Sequence, residues 1–145
     1  YITFPCCFYT SILFSNTTYF LNETEPFFTP LKKAILQFKA SGAEFYTSTI
    51  TDAEYMVKPL SENQFDKIIN YADFIREFEF QRLYINEVVA RRSAEIRAKY
   101  RGIKLADALQ LAASIVNECS AFLTNDRQLS QVNEANIVLI SDLPA

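Results

Sequence analysis

The sequence predicts an α/β sandwich packed around a mostly parallel sheet, and three observations lead there. Short runs rich in aromatic and β-branched residues alternate with helical runs along the chain, the order that yields strand–helix–strand units. Two of the later runs, Ala121-Phe122-Leu123-Thr124 and Ile137-Val138-Leu139-Ile140, are continuously apolar, as strands covered on both faces are. Half of the 145 residues are apolar, enough for one core, so residues 1–145 are expected to form a single domain.

The elements follow in order. Tyr1 to about Phe8 is aromatic and β-branched with Pro5 inside it, and reads as a first strand that ends early, followed by a helix to Phe14. Thr29-Pro30 starts a helix with proline in the first turn; Leu31, Ala34, Ile35 and Phe38 form its apolar stripe and Ser41-Gly42 stops it. Glu44 to Ser48 is a short strand, and Thr49 or Thr51 is expected to cap a helix that Lys58-Pro59 ends. Ser61-Glu62-Asn63-Gln64 has the capping-box pattern ahead of Phe65, Ile68, Ile69, Ala72 and Ile75, which predicts a helix to about Phe78. Arg82 to Ile85 is strand-like, Asn86 is a cap, and Val88, Val89, Ala94, Ile96 and Tyr100 mark a helix stopped by Gly102. Leu105 to about Val116 is an almost wholly apolar helix, and a short helix from about Asp126 separates the last two strands.

Composition excludes several chemistries. The chain has no histidine, so a Ser-His-Asp triad, a Cys-His pair and His-ligated zinc are absent, and acid–base work falls to carboxylates, Tyr, Lys or Cys. Gly42 and Gly102 are its only glycines, too few for a glycine-rich phosphate loop. A net charge of −3 is too mild to indicate nucleic acid by bulk charge. The first charged residue is Glu23, yet the uncharged start lacks a basic flank and is interrupted by Ser15, Asn16, Thr17 and Thr18, so neither a signal peptide nor a membrane span is expected. Tyr1 stands where an initiator Met is expected, so residues before it are expected to be missing from this sequence. Cys6, Cys7 and Cys119 are odd in number and two are adjacent, which argues against a disulfide framework and for a reducing, cytoplasmic setting.

Three acids stand at informative places: Glu54 on the helix after the second strand, Asp107 in the first turn of the apolar helix, and Asp126 just after a late strand. Ligands of parallel sheets gather beyond the carboxyl ends of strands, so these acids are candidates to converge. Carboxylates meeting there repel one another by roughly 4 kcal/mol per pair at about 4 Å in an effective dielectric of about 20. A divalent cation relieves that repulsion, and hard oxygen donors without His or Cys favour Mg²⁺ or Mn²⁺ over zinc. Such an ion activates water and stabilises charge on a phosphodiester, which is nuclease chemistry. Each acid also has a purely structural reading: Asp126 as a turn or N-cap residue, Glu54 as a favourable charge near a helix start. Asp107, flanked by Leu105-Ala106 and Ala108-Leu109, needs a partner or an ion if its charge is buried.

The stretches Thr47 to Pro59, Ile103 to Ala113 and Cys119 to Leu129 resemble the successive blocks of the PIN-domain family, which includes the ribonuclease toxins of VapC-type toxin–antitoxin modules. The resemblance implies a three-layer α/β/α sandwich with a mostly parallel central sheet and a Mg²⁺- or Mn²⁺-dependent endoribonuclease with four acids around the metal. It also implies an antitoxin-like protein partner and makes a homodimer plausible, with no membrane. By motif match, Glu54, Asp107 and Asp126 take three of the acidic places, as catalytic and metal-ligating residues, and Thr124 and Asn125 match polar residues near the site. The usual fourth acid, an Asp ending the first strand, has no counterpart in Ile2 to Tyr9, where its place falls at Phe4 or Pro5. That absence supports a second expectation, a catalytically degenerate domain kept as a protein- or RNA-binding module.

Arg91, Arg92, Arg97, Lys99, Arg101 and Lys104 lie within fourteen residues, with only Glu95 opposing them. Two readings stand: a solvated helix face, or a surface that holds RNA phosphates.

Overall fold

The computed structural model describes residues 9–15, 17–23 and 25–144. Its elements in chain order are β1 (Ser11–Phe14), α1 (Thr18–Leu21), α2 (Phe28–Ala40), β2 (Glu44–Ser48), α3 (Thr49–Ser61), α4 (Phe65–Glu77), β3 (Gln81–Leu83), α5 (Glu87–Lys99), α6 (Leu105–Val116), β4 (Ala121–Thr124) and β5 (Ile137–Leu139). Short 3₁₀ turns span Arg127–Gln131 and Ile140–Asp142. Among the described residues no helix is long and apolar enough to cross a membrane.

The five strands form one sheet in the order β3-β2-β1-β4-β5, and every pairing is parallel. Alternation along the two central strands divides the core. Ile12 and Phe14 of β1 and Ala121 and Leu123 of β4 face one side, packed with Leu31, Ile35 and Phe38 of α2 and Phe74 and Ile75 of α4. Leu13 and Phe122 face the other, among Val89 and Ile96 of α5 and Ala108, Leu111 and Ala112 of α6. The result is the expected α/β/α sandwich. Strands apolar on both faces are what such double coverage requires.

Several predicted boundaries are corrected. The first strand is Ser11–Phe14, where a helix was expected; the strand expected over Tyr1 to Phe8, with Phe4, Pro5, Cys6 and Cys7, lies outside the described residues. Ser11-Ile12-Leu13-Phe14 is buried on both faces of the sheet, so tertiary pairing with β2 and β4 decides its conformation. β2 runs directly into α3, and the cap is Ser48, whose Oγ accepts from the Thr51 N–H at 3.3 Å, not Thr49 or Thr51. α3 does not stop at Pro59 but continues to Ser61; Pro59 is buried, and one missing hydrogen bond in a last turn is a local loss. The expected capping box before α4 does not form, because Ser61 closes α3 and donates its hydroxyl back to the Lys58 carbonyl at 2.9 Å. Asn86 caps α5 as expected, its Oδ1 accepting from the Val89 N–H at 3.0 Å. α2 ends at Gly42 in a Schellman motif: the Ala43 N–H reaches the Phe38 carbonyl at 3.0 Å and the Gly42 N–H the Lys39 carbonyl at 3.1 Å, with Gly42 at φ +82°.

One buried polar network ties α3 to the sheet and to α4. The Asp52 carboxylate accepts from the Tyr71 hydroxyl at 2.5 Å and from Arg82 Nε at 2.8 Å. Tyr71 also stacks on Tyr55 at 4.6 Å between ring centroids. Burial, followed by the hydrogen bond to Asp52, pushes the Tyr71 hydroxyl far above its ordinary range, so it is always a donor here. Because the network fixes α3, it also fixes the helix that carries Glu54. Tyr71→Phe keeps the ring stack and removes the donor from a buried carboxylate, so urea unfolding is expected to show a loss of about 1–3 kcal/mol; unchanged stability would contradict this role for the network.

Candidate metal centre at the strand-order reversal

β2 and β3 lie on one side of β1, and β4 and β5 on the other, so the strand order reverses between β1 and β4. Loops leaving the carboxyl ends of two such strands diverge and open a cleft. Ser15 follows β1 there; its N–H and its hydroxyl both donate to the Leu123 carbonyl, each at 3.1 Å. Thr124 ends β4 and is buried; its Oγ1 accepts from the Asp126 N–H at 3.2 Å, and Asn125 fills the turn between them. Asp126 in turn caps the following 3₁₀ turn, its Oδ1 accepting from the Gln128 N–H at 2.9 Å. The capping role expected for Asp126 is therefore present, and it aims one carboxylate oxygen while leaving the other uncommitted to that bond.

The other two acids come from helices on opposite faces of the sheet. Asp107 lies in the first turn of α6, half-buried. Its carboxyl is raised above the ordinary Asp range by burial and then by the charge of Asp126, against the opposing charge of Lys104. Glu54 of α3 stands at the rim; burial and then the charge of Asp107 raise it, while the hydrogen bond from Gln110 and the charge of Lys104 oppose the rise. The three acids thus form a line of like charges with Asp107 in the middle. Among the described residues no group of three or more Cys, Asp or Glu side chains is gathered tightly enough to hold a metal ion as the side chains stand.

Gln110 was not anticipated. It is fully buried on α6, one turn beyond Asp107, and its Nε2 donates to Glu54 Oε2 at 3.1 Å. Thr51 Oγ1 lies 3.4 Å from Gln110 Oε1 and 3.5 Å from the Ser15 carbonyl, so one hydroxyl proton is offered to two acceptors. A polar side chain three residues after Asp107 in an otherwise apolar helix was the signal in the sequence.

Among the described residues the first strand is Ser11–Phe14 and Ser15 follows it; Phe4 and Pro5, where the missing acid was expected, lie outside the described residues. Of the uncharged start, the described stretch Ser11–Phe14 is a strand of the sheet. Ser15 carries a hydroxyl and no carboxylate.

Of the basic cluster, Lys104 alone bears electrostatically on the acids. Arg92 pairs with Glu95 at 2.8 Å, and Arg91 lies 3.8 Å from the same carboxylate. Lys99 pairs with Glu134 at 2.6 Å, Arg97 donates to the Ile103 carbonyl at 3.3 Å, and Arg101 is exposed. The donor set suits a hard divalent cation: three carboxylates, with no soft or imidazole ligand among them.

A parallel sheet covered by helices on both faces, its strand order reversing between β1 and β4, defines an α/β/α domain. The family model of the PIN domain matches residues 15–135, and the chain belongs to the PIN domain family. Comparison with curated protein sequences gives no significant match. Among solved structures the chain is similar to VapBC2 from Rickettsia felis, bound to a DNA fragment from its promoter, with a TM-score of 0.69 and 14% identity over 89% of this chain and 98% of that one. It is also similar to a toxin–antitoxin complex from Klebsiella pneumoniae, with a TM-score of 0.63 and 21% identity over 89% and 97% of the two chains. VapBC-5 from Mycobacterium tuberculosis, of the VapBC family of toxin–antitoxin systems, gives 0.62 and 14% over 90% and 98%. At these identities the likeness establishes the fold.

The like-charge line has a pH consequence. A carboxyl raised in the folded state favours the protonated form, so the stability it contributes is present below its unfolded value, about 4, and is lost as pH rises through the raised folded value. In side-chain carboxyl NMR titrations, Glu54 and Asp107 are expected to titrate above the ordinary range, and Asp107→Asn is expected to move the Glu54 midpoint down. A Glu54 midpoint indifferent to Asp107→Asn would show that the two charges do not meet.

Proposed function

We propose that this PIN domain is a metal-dependent endoribonuclease of the toxin type, acting in the cytoplasm, in which Glu54, Asp107 and Asp126 hold Mg²⁺ or Mn²⁺. The observation that carries the reading is Asp107 placed between two other acids, close enough for the charge of Asp126 to bear on it and for its own charge to bear on Glu54. When bound, the ion supplies water activation and charge stabilisation on the phosphodiester. The chain's own residues do the positioning. Gln110 orients Glu54 and favours its ionised form, and the turn at Thr124 and Asn125 presents Asp126. Lys104 contributes positive charge beside two of the acids, and Arg91, Arg92, Arg97, Lys99 and Arg101 are the candidate contacts to RNA phosphates farther along. Structural neighbours that are toxin–antitoxin complexes support an antitoxin-like protein partner.

A second reading rests on Ser15. With a hydroxyl where the family usually has a carboxylate, the domain is catalytically degenerate and serves as a protein- or RNA-binding module. A cleavage assay on single-stranded RNA with Mn²⁺ separates the two. The ribonuclease reading expects activity in the wild type, a loss on the order of 100-fold in Asp107→Asn, and a gain of roughly 10- to 100-fold in Ser15→Asp as a ligand is restored. A silent wild type beside an active Ser15→Asp variant would establish degeneracy instead.

A further inference from the structure

A pocket of about 150 Å³ adjoins the carboxylate cleft, lined by residues that include Asn22, Glu54, Lys58, Gln64 and Lys67. It shares Thr18, Glu54 and Tyr55 as walls with a second pocket, of about 260 Å³, which reaches Ser15 and Thr51. Helical spacing explains the arrangement: Thr51, Glu54, Tyr55 and Lys58 fall at i, i+3, i+4 and i+7 on one face of α3. Lys67 arrives from the first turn of α4, which packs against α3, with the Tyr55 hydroxyl donating to the Lys67 carbonyl at 3.4 Å. Among the described residues neither lysine makes an ion pair, whereas Arg91, Arg92 and Lys99 of the predicted basic cluster are engaged by Glu95 or Glu134. On the pocket wall, Gln64 buries an Oε1 that has no hydrogen-bond partner.

From this juxtaposition we infer that Lys58 and Lys67 form a subsite for an RNA backbone phosphate immediately beside the candidate metal centre; the inference rests on the nuclease reading for the identity of the ligand. The pocket has room for a phosphate group. Two lysines and no arginine favour phosphate over a protein carboxylate: ammonium groups act as point charges on a tetrahedral anion, while planar carboxylates are matched by the guanidinium fork. Glu54 lines the same pocket and the charge of Asp66 bears on Tyr55 in its wall, so the two lysines set their positive charges against two carboxylates there. Glu54 is a wall of both pockets, so a strand held by one phosphate at the lysines lies beside that acid.

The test is fluorescence anisotropy of a labelled single-stranded RNA heptamer in EDTA, with wild type, Lys58→Ala/Lys67→Ala and Asp107→Asn, and circular dichroism melting as the check on folding. Two phosphate contacts lower the slope of log affinity against log salt by about 0.7 each, so the double variant is expected to bind about tenfold more weakly near 0.15 M salt. Asp107→Asn is expected to bind RNA at least as well as wild type, because a like charge near the phosphates is gone. Affinity and salt slope unchanged in a folded double variant overturn the subsite, as does binding of polyglutamate that is lost in the double variant while RNA binding is kept. Lysine-dependent RNA binding without any cleavage in Mn²⁺ leaves the subsite standing and removes the nuclease reading; cleavage indifferent to both lysines does the reverse.

Discussion

Repulsion along the line Glu54–Asp107–Asp126 is the constraint on which the rest of the cleft depends. Each acid comes from a different element, α3, α6 or the turn after β4, and a parallel sheet brings their starting points to one edge. No single element has to tolerate two of these charges. The neighbours then answer the repulsion in two ways: Lys104 sets a positive charge against Glu54 and Asp107, and the Gln110 amide donates to Glu54. Burial adds to the repulsion, and Glu54 and Asp107 stay raised. A cleft left with that much unmet negative charge has a use for a cation.

The sheet supplies the rigidity such a site needs. β1 and β4 are buried on both faces, and their ends carry Ser15 and Thr124 directly into the cleft. α3 is held at its start by the Ser48 cap and along its flank by the Asp52–Tyr71–Arg82 network, so the helix bearing Glu54 is fixed from three elements. Shifts at Tyr71 or Arg82 therefore bear on where Glu54 stands.

Much of this was legible in the sequence, and the failures have physical causes. β2, α6 and β4 could be read because each is a clean apolar or β-branched run bounded by polar or turn residues. β1 could not: two apolar stretches precede the first charge at Glu23, with no charged residue to mark a strand end, and Ser11–Phe14 reads as a helix from sequence. The fourth acid was expected at Phe4 or Pro5 on the same reading. The acids themselves stood out, because Asp107 interrupts an apolar helix and Asp126 follows an apolar strand. Lys58, Lys67 and Gln110 did not, because their significance depends on how α3 packs against α4 and α6, a relation between elements that no local pattern carries.

Ser15 makes the affinity of the cleft for a cation the central question. Isothermal titration of the wild-type chain with Mn²⁺ at neutral pH, repeated on Asp107→Asn, addresses it most directly. One Mn²⁺ bound per chain in the wild type, with binding lost or weakened at least tenfold in Asp107→Asn, is the predicted result. No Mn²⁺ binding that depends on Asp107 would contradict the assignment of this cleft as a metal centre.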